Sequence, residues 1–219
     1  MPSSQQTQAG RGATARTFTE RARRAQIVDA AIETIAELGF RRASFGQIAR
    51  RAGLSSTGLI TYHFDGRDDL VRQVVADIVS DIASFMAERM AGVTGPAEAL
   101  RAYIEGTVGF VAANRSKMKV LADIFVSGGF PYGPADDAVA VSPIEEILRA
   151  GQAAGVFRAF DPTVMATLVQ RSVDGLPFLL ERQPGLDLAA FAGEVATVFD
   201  LATRAEPLVI FDLAAERQN

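Results

Sequence analysis

The 219-residue chain has 48% hydrophobic residues, no cysteine and one histidine, so a sizeable core is open to it, but not a disulfide framework, a thiolate metal site or a histidine-rich zinc site. Its net charge of -4 is unevenly spread: residues 1–67 carry ten arginines against five carboxylates, and residues 68–219 carry twelve basic groups against twenty-one acidic ones. A basic end on an acidic body is the pattern expected when that end alone meets nucleic acid.

The polar N-terminus lacks the apolar segment of a secretory signal. No apolar run reaches the length of a membrane span. The expected location is the cytoplasm, with no membrane partner. Residues 1–16 read as a disordered arm, polar and glycine-containing, with Arg11 and Arg16 as its charges.

Thr17 or Thr19 is expected to start the first helix, with Thr17-x-x-Glu20 as a capping box. Ile27, Ala30, Ala31, Thr34, Ile35 and Leu38 fall on one face, and Gly39 ends the helix. Arg21, Arg23 and Arg24 then sit where the helix dipole prefers acids, which suggests an external anion such as a phosphate backbone. Ser44 is the expected cap of a second helix, and its hydroxyl could also donate to a phosphate.

The informative stretch is Phe45 to Phe64, FGQIARRAGLSSTGLITYHF. Gln47 to Arg51 is a short amphipathic run, and Gly53 is the expected left-handed residue that closes it. Ser55 or Ser56 would cap a further helix running to His63. Ile48, Ala49, Leu54, Ile60 and Phe64 are spaced to pin two crossed helices against the first. The outward residues are Ser55, Ser56, Thr57, Leu59, Thr61, Tyr62 and His63. This is a helix-turn-helix pattern, whose second helix would enter a major groove of double-stranded DNA. That helix has no Arg, Lys, Asn or Gln, so bidentate reading of a purine from it is unavailable. Hydroxyls, His63, methyl contacts, water and DNA shape are left to carry specificity. Arg21, Arg24, Arg41, Arg42, Arg50, Arg51 and Arg67 are the candidate phosphate contacts.

Together, Ile27-x-x-Ala30-Ala31, Gly39-Phe40, Ile48-Ala49-x-x-Ala52-Gly53-Leu54-Ser55, Tyr62-His63-Phe64 and Arg67-x-x-Leu70 resemble the DNA-binding domain of the TetR family of bacterial transcriptional regulators. The resemblance covers about a fifth of the chain. Ala43 stands where the family usually has threonine, and Arg67 where it usually has a phosphate-contacting lysine. Ser55 to Gly58 is one residue longer than the common pattern, which leaves open which side chains face bases.

A long helix is expected over 68–92, with Asp68 and Asp69 at its start, and further helices over 96–113, 116–128 and 143–154. The Gly/Pro-rich segment Ser127 to Pro134 is a connector or a lid. Asp161 caps, and Pro162 opens, a helix over 162–182, and a last one spans 188–205. The resemblance implies that these two long helices pair with a second copy as a four-helix homodimer interface. Leu208 to Phe211 would add a short packing segment.

Asp123, Arg171 and Asp174 interrupt apolar helical runs, where charges are costly unless paired. They are the expected polar fixtures of a small-molecule pocket walled by Phe85, Tyr103, Phe110, Met118, Phe125 and Phe178. Ordinary core is the competing reading of those apolar residues. The sequence therefore implies an all-α chain: the arm, a three-helix helix-turn-helix DNA-binding domain over 17–67, and a helical ligand-binding and dimerisation domain over 68–219. The function implied is a ligand-responsive regulator, a repressor, that holds a palindromic operator as a homodimer and releases it on binding a largely apolar effector. No metal, cofactor or catalytic residue is expected. The alternative is an all-helical enzyme or small-molecule carrier with carboxylates such as Asp123 and Asp174 as acid/base groups.

Overall fold

The computed structural model describes residues 6–130 and 133–205. Among them are ten helices: α1 Gln6–Leu38, α2 Phe45–Arg51, α3 Gly58–His63, α4 Arg67–Met90, α5 Pro96–Ala113, α6 Arg115–Val126, α7 Pro134–Ala153, α8 Pro162–Asp174, α9 Leu176–Arg182 and α10 Leu188–Thr203. The described residues contain no strand, only an isolated antiparallel bridge between Phe157 and Arg204.

The chain divides into two compact units, Met1–Ser84 with Val111–Gly133, and Phe85–Phe110 with Pro134–Asn219. In the first, α1 packs on α2 and α6. Its core runs through Ile27, Ala31 and Ile35 of α1, Ile48 of α2, Ile60 of α3, Leu70, Val74 and Ile78 of α4, and Val120 and Ile124 of α6. Apolar packing thus continues well past Arg67, because α4 and α6 supply the wall that three short helices cannot. The second unit is built on Leu100, Ile104, Ile144, Leu148, Val169 and Phe199, with α7 packed on α8.

Several boundaries differ from the sequence expectation. The first helix begins at Gln6, so the stretch read as a disordered arm is helical from there and Thr17 is not its cap. Extending a nucleated helix costs far less than starting one, and Gln, Ala and Arg are good helix formers. Arg21, Arg23 and Arg24 consequently lie in the helix interior, about four turns from its start, where the dipole argument for an external anion has no force. Helix α7 starts at Pro134, with Pro143 inside it rather than at its head. Fully buried Ile144 and Leu148 hold it despite the lost N–H donor. The expected 162–182 helix breaks at Gly175, ahead of Pro177. Leu208 to Phe211 lie outside the described residues. The Asp161 cap is as expected: its carboxylate accepts from the N–H groups of Thr163 and Val164 at 2.9 and 3.2 Å.

Candidate nucleic-acid interface

Ser44 caps α2 through a complete capping box. Its hydroxyl accepts from Gln47 N–H, and the Gln47 amide oxygen accepts from Ser44 N–H at 2.8 Å. The reciprocal pair fixes the entry angle of α2 from four consecutive residues. Gly53 takes φ 63°, the left-handed conformation a side chain would resist. Its reversal is held by Leu54 N–H on Ala49 C=O at 2.9 Å and by Gln26 Nε2 on Ala52 C=O at 2.7 Å.

Helix α3 begins at Gly58, later than expected. Thr57 is its N-cap without a side-chain hydrogen bond, and Ser55 and Ser56 precede it in the turn. Ile60 and Phe64 are 0% and 1% exposed, which anchors the inner side. Ser55, Ser56, Thr57, Leu59, Thr61 and Tyr62 are all exposed, Tyr62 at 73%. His63 is half-buried, with its ring edge-on to Tyr62 at 5.0 Å. The residues expected to read bases are thus solvent-exposed, as is Ser44, except that His63 is partly withdrawn.

The arginines separate into two groups. Arg21, Arg41, Arg42 and Arg50 are exposed and, among the described residues, make no hydrogen bond or ion pair to a distant element, Arg42 Nε donating only to the nearby Leu38 C=O at 2.6 Å; Arg51 and Arg67 are exposed as well. Three others are engaged within the protein. Arg51 pairs with Glu33 and Glu37 of α1. Arg67 donates to the carbonyls of Ala43 and Phe40 at 2.7 and 2.5 Å, and its guanidinium lies 4.7 Å from the Phe40 ring centroid. Arg24 donates to His63 C=O and to Gln73 Oε1, over the Phe64 ring. Of the two arginines expected to contact phosphate, Arg24 thus has its guanidinium on one main-chain carbonyl, a side-chain amide and an aromatic face, and Arg67 on two carbonyls and an aromatic face while still exposed to solvent. Charge was visible in the sequence; direction was not.

The residues expected to form a ligand pocket are divided between the two units. Met118, Asp123 and Phe125 belong to the first unit, the other six to the second. Asp123 is a structural acceptor, taking Phe40 N–H at 2.6 Å and the Ser127 hydroxyl at 3.1 Å. Phe125 and Met118 pack on the first unit's core, and Phe130 meets Phe125 edge-on, so the segment after α6 acts as a packed connector at Phe130; Pro131 and Tyr132 lie outside the described residues. A small cavity in the first unit is bounded by Ala31, Phe40, Ala43, Phe45 and Leu70 and contains none of the expected pocket residues.

In the second unit, Phe85 and Phe110 pack edge-to-face at 5.5 Å, and Phe110 is 3% exposed. The Tyr103 phenol is pushed above its ordinary value, first by burial and then by the negative charge of Asp174. Arg171 and Asp174 are exposed rather than buried, paired at 2.6 Å, with Gln170 also donating to Asp174. Phe178 is 43% exposed. No group of three His, Asp or Glu side chains suited to a metal ion occurs among the described residues. No described helix is long and apolar enough to cross a membrane.

Residues 27–74 match the model of bacterial regulatory proteins of the tetR family. The chain is 38% identical over 98 residues to the HTH-type transcriptional regulator BetI 1 of Chromohalobacter salexigens, covering 44% of this chain and 48% of that one. It is 35% identical over 99 residues to the HTH-type transcriptional regulator BetI of Escherichia coli, covering 44% and 50%. The chain thus spans about half the length of the curated relatives it matches. Among solved structures, a TetR-family transcriptional regulator from Rhodococcus sp. superposes with a TM-score of 0.71 at 22% identity, over 82% of this chain and 98% of that one. AibR, solved with isovaleryl coenzyme A and operator DNA, gives 0.68 at 20% identity, over 81% and 98%. These similarities establish the fold well beyond the helix-turn-helix segment.

Proposed function

We propose, from the match of residues 27–74 to the tetR-family model and the fold shared with regulators of that family, that this chain is a TetR-family regulator: a ligand-responsive transcriptional repressor, bound to a near-palindromic operator as a homodimer. The observation that carries the reading is the two-sidedness of α3, with Ile60 and Phe64 sealed inward and Leu59, Thr61 and Tyr62 presented to solvent. Six residues make a rod about 9 Å long, enough to address about three base-pair steps. At about 1–3 kcal/mol per base pair, one such helix discriminates weakly, and a second copy one helical turn away doubles the reading.

The second copy would dock on α8 and α10, continuing over α9. Val164 and Leu168 are 56% and 53% exposed, Val198 and Leu201 57% and 48%, each pair one helical turn apart. Aliphatic stripes of this kind favour a self-complementary interface. An apolar effector would bind in the second unit beside Phe85, Tyr103 and Phe110, and would release DNA only so far as it prefers the DNA-free state. Helix α4 is the proposed lever. The test is operator binding by purified protein, with and without candidate apolar effectors. Loss of binding on addition supports the sensor role, and operator affinity indifferent to every such compound rejects it.

A further inference from the structure

Helix α3 is too short to define its own direction. A six-residue helix leaves most of its main-chain carbonyls without intrahelical donors, and the last of them, at His63, faces the end from which the chain returns to α4. Arg24, half-buried on α1, meets that end in three ways. Nη1 donates to His63 C=O, the guanidinium carbon stands 4.2 Å from the centroid of the buried Phe64 ring, and Nη2 donates to Gln73 Oε1 at 3.1 Å. Gln73 in turn donates from Nε2 to Asp77 Oδ1 at 2.7 Å, one turn further along α4. A cation here also suits the negative end of the α3 dipole.

We propose that Arg24 is a positioning residue for the base-reading helix, and that Arg24, Gln73 and Asp77 form the hydrogen-bonded run through which α4 sets the pitch of α3. The inference rests on the reading of α3 as the helix that meets DNA. The planar guanidinium is essential to it: one group must stack on Phe64 while two of its nitrogens reach acceptors on different helices, a geometry an ammonium cannot reproduce. A phosphate contact, by contrast, needs the charge and little else, and lysine would serve it. Gln73 carries no charge, so it matters to the positioning role alone.

The test uses the full chain as wild type, Arg24→Ala, Arg24→Lys and Gln73→Leu, titrated over a salt series with a duplex selected by the wild type and with a random duplex. Arg24→Lys is expected to behave like Arg24→Ala, each losing about tenfold or more on the selected duplex and little on the random one. The slope of log affinity against log salt should stay at the wild-type value, and Gln73→Leu should show a smaller loss of the same kind. Wild-type binding by Arg24→Lys overturns the proposal. So does an equal loss on both duplexes by Arg24→Ala, with the slope shallower by about 0.9 per protomer. Amide exchange of residues 60–64 in the DNA-free protein gives an independent reading. It should quicken about tenfold in both Arg24 variants while residues 27–35 of α1 hold, and unchanged exchange at 60–64 overturns the proposal. Should the wild type ignore duplex DNA altogether, the proposed function falls, while amide exchange still decides whether Arg24 holds α3.

Discussion

Phe40 shows how single residues lock the base of the helix-turn-helix unit. Its N–H is held by Asp123, its C=O and ring by Arg67, and Gly129 lies so close to the ring that a Cβ could not fit. Asp123→Ala should therefore cost about 1–3 kcal/mol in urea unfolding, because a largely buried donor loses its acceptor, while Asp123→Asn keeps an oxygen there and costs less. Equal stability of Asp123→Ala and wild type would contradict the assignment. Tyr103 gives a pH signature. Its folded pKa lies above the ordinary value of 10.0, so its contribution to stability is fully present below that value and declines as pH rises through the shifted one. Melting temperature should fall more steeply above about pH 10 in the wild type than in Tyr103→Phe. The roles of Asp123, Arg24 and Arg67 were not readable in the sequence. Their partners lie 83, 39 and 27 residues away, and charge on a helix face does not reveal whether the group turns inward.

At the scale of elements, features closed by neighbouring residues were readable. The Ser44 cap, which the structure extends to a capping box with Gln47, the left-handed Gly53 and the Asp161 cap each depend on a span of a few residues. Ser44→Ala should cost about 1 kcal/mol by denaturant unfolding, and stability equal to wild type would contradict the cap. A helix start without such a signal was not readable: α3 begins after Thr57 with no side-chain cap, and α1 runs back to Gln6. The later start of α3 also redistributes the base-reading roles. Leu59 and Tyr62 ride on the helix, and Ser55 and Ser56 approach from the turn. Replacing Leu59 by Ala should change the selected DNA sequence, whereas Arg50→Ala should weaken all sequences alike and flatten the salt dependence. Binding-site selection with each variant checks the sorting.

For the whole molecule, the division into a basic end and an acidic remainder was visible in composition alone, and the all-helical class in the apolar periodicity and the family resemblance. The packing units were not, because α4 and α6 join the first unit through contacts that periodicity along one helix cannot foretell. Nor could the sequence assign the expected pocket residues to one unit or the other, since apolar stripes mark burial without saying against what. The proposed pairing through α8 and α10 should be abolished by Leu168→Glu with Leu201→Glu, which places carboxylates on both exposed stripes. Sedimentation should then show a monomer with intact helical content, and operator affinity should fall with it. Phosphate contacts by Arg21, Arg41, Arg42 and Arg50, doubled in the proposed dimer, would put the salt slope of binding near about -7. The most direct measurement is selection of bound fragments from random duplex DNA by the purified chain. The expected outcome is a short inverted repeat whose half-sites are spaced by about one helical turn or a multiple of it. Recovery of no enriched sequence, or of a single unrepeated site, would contradict the account.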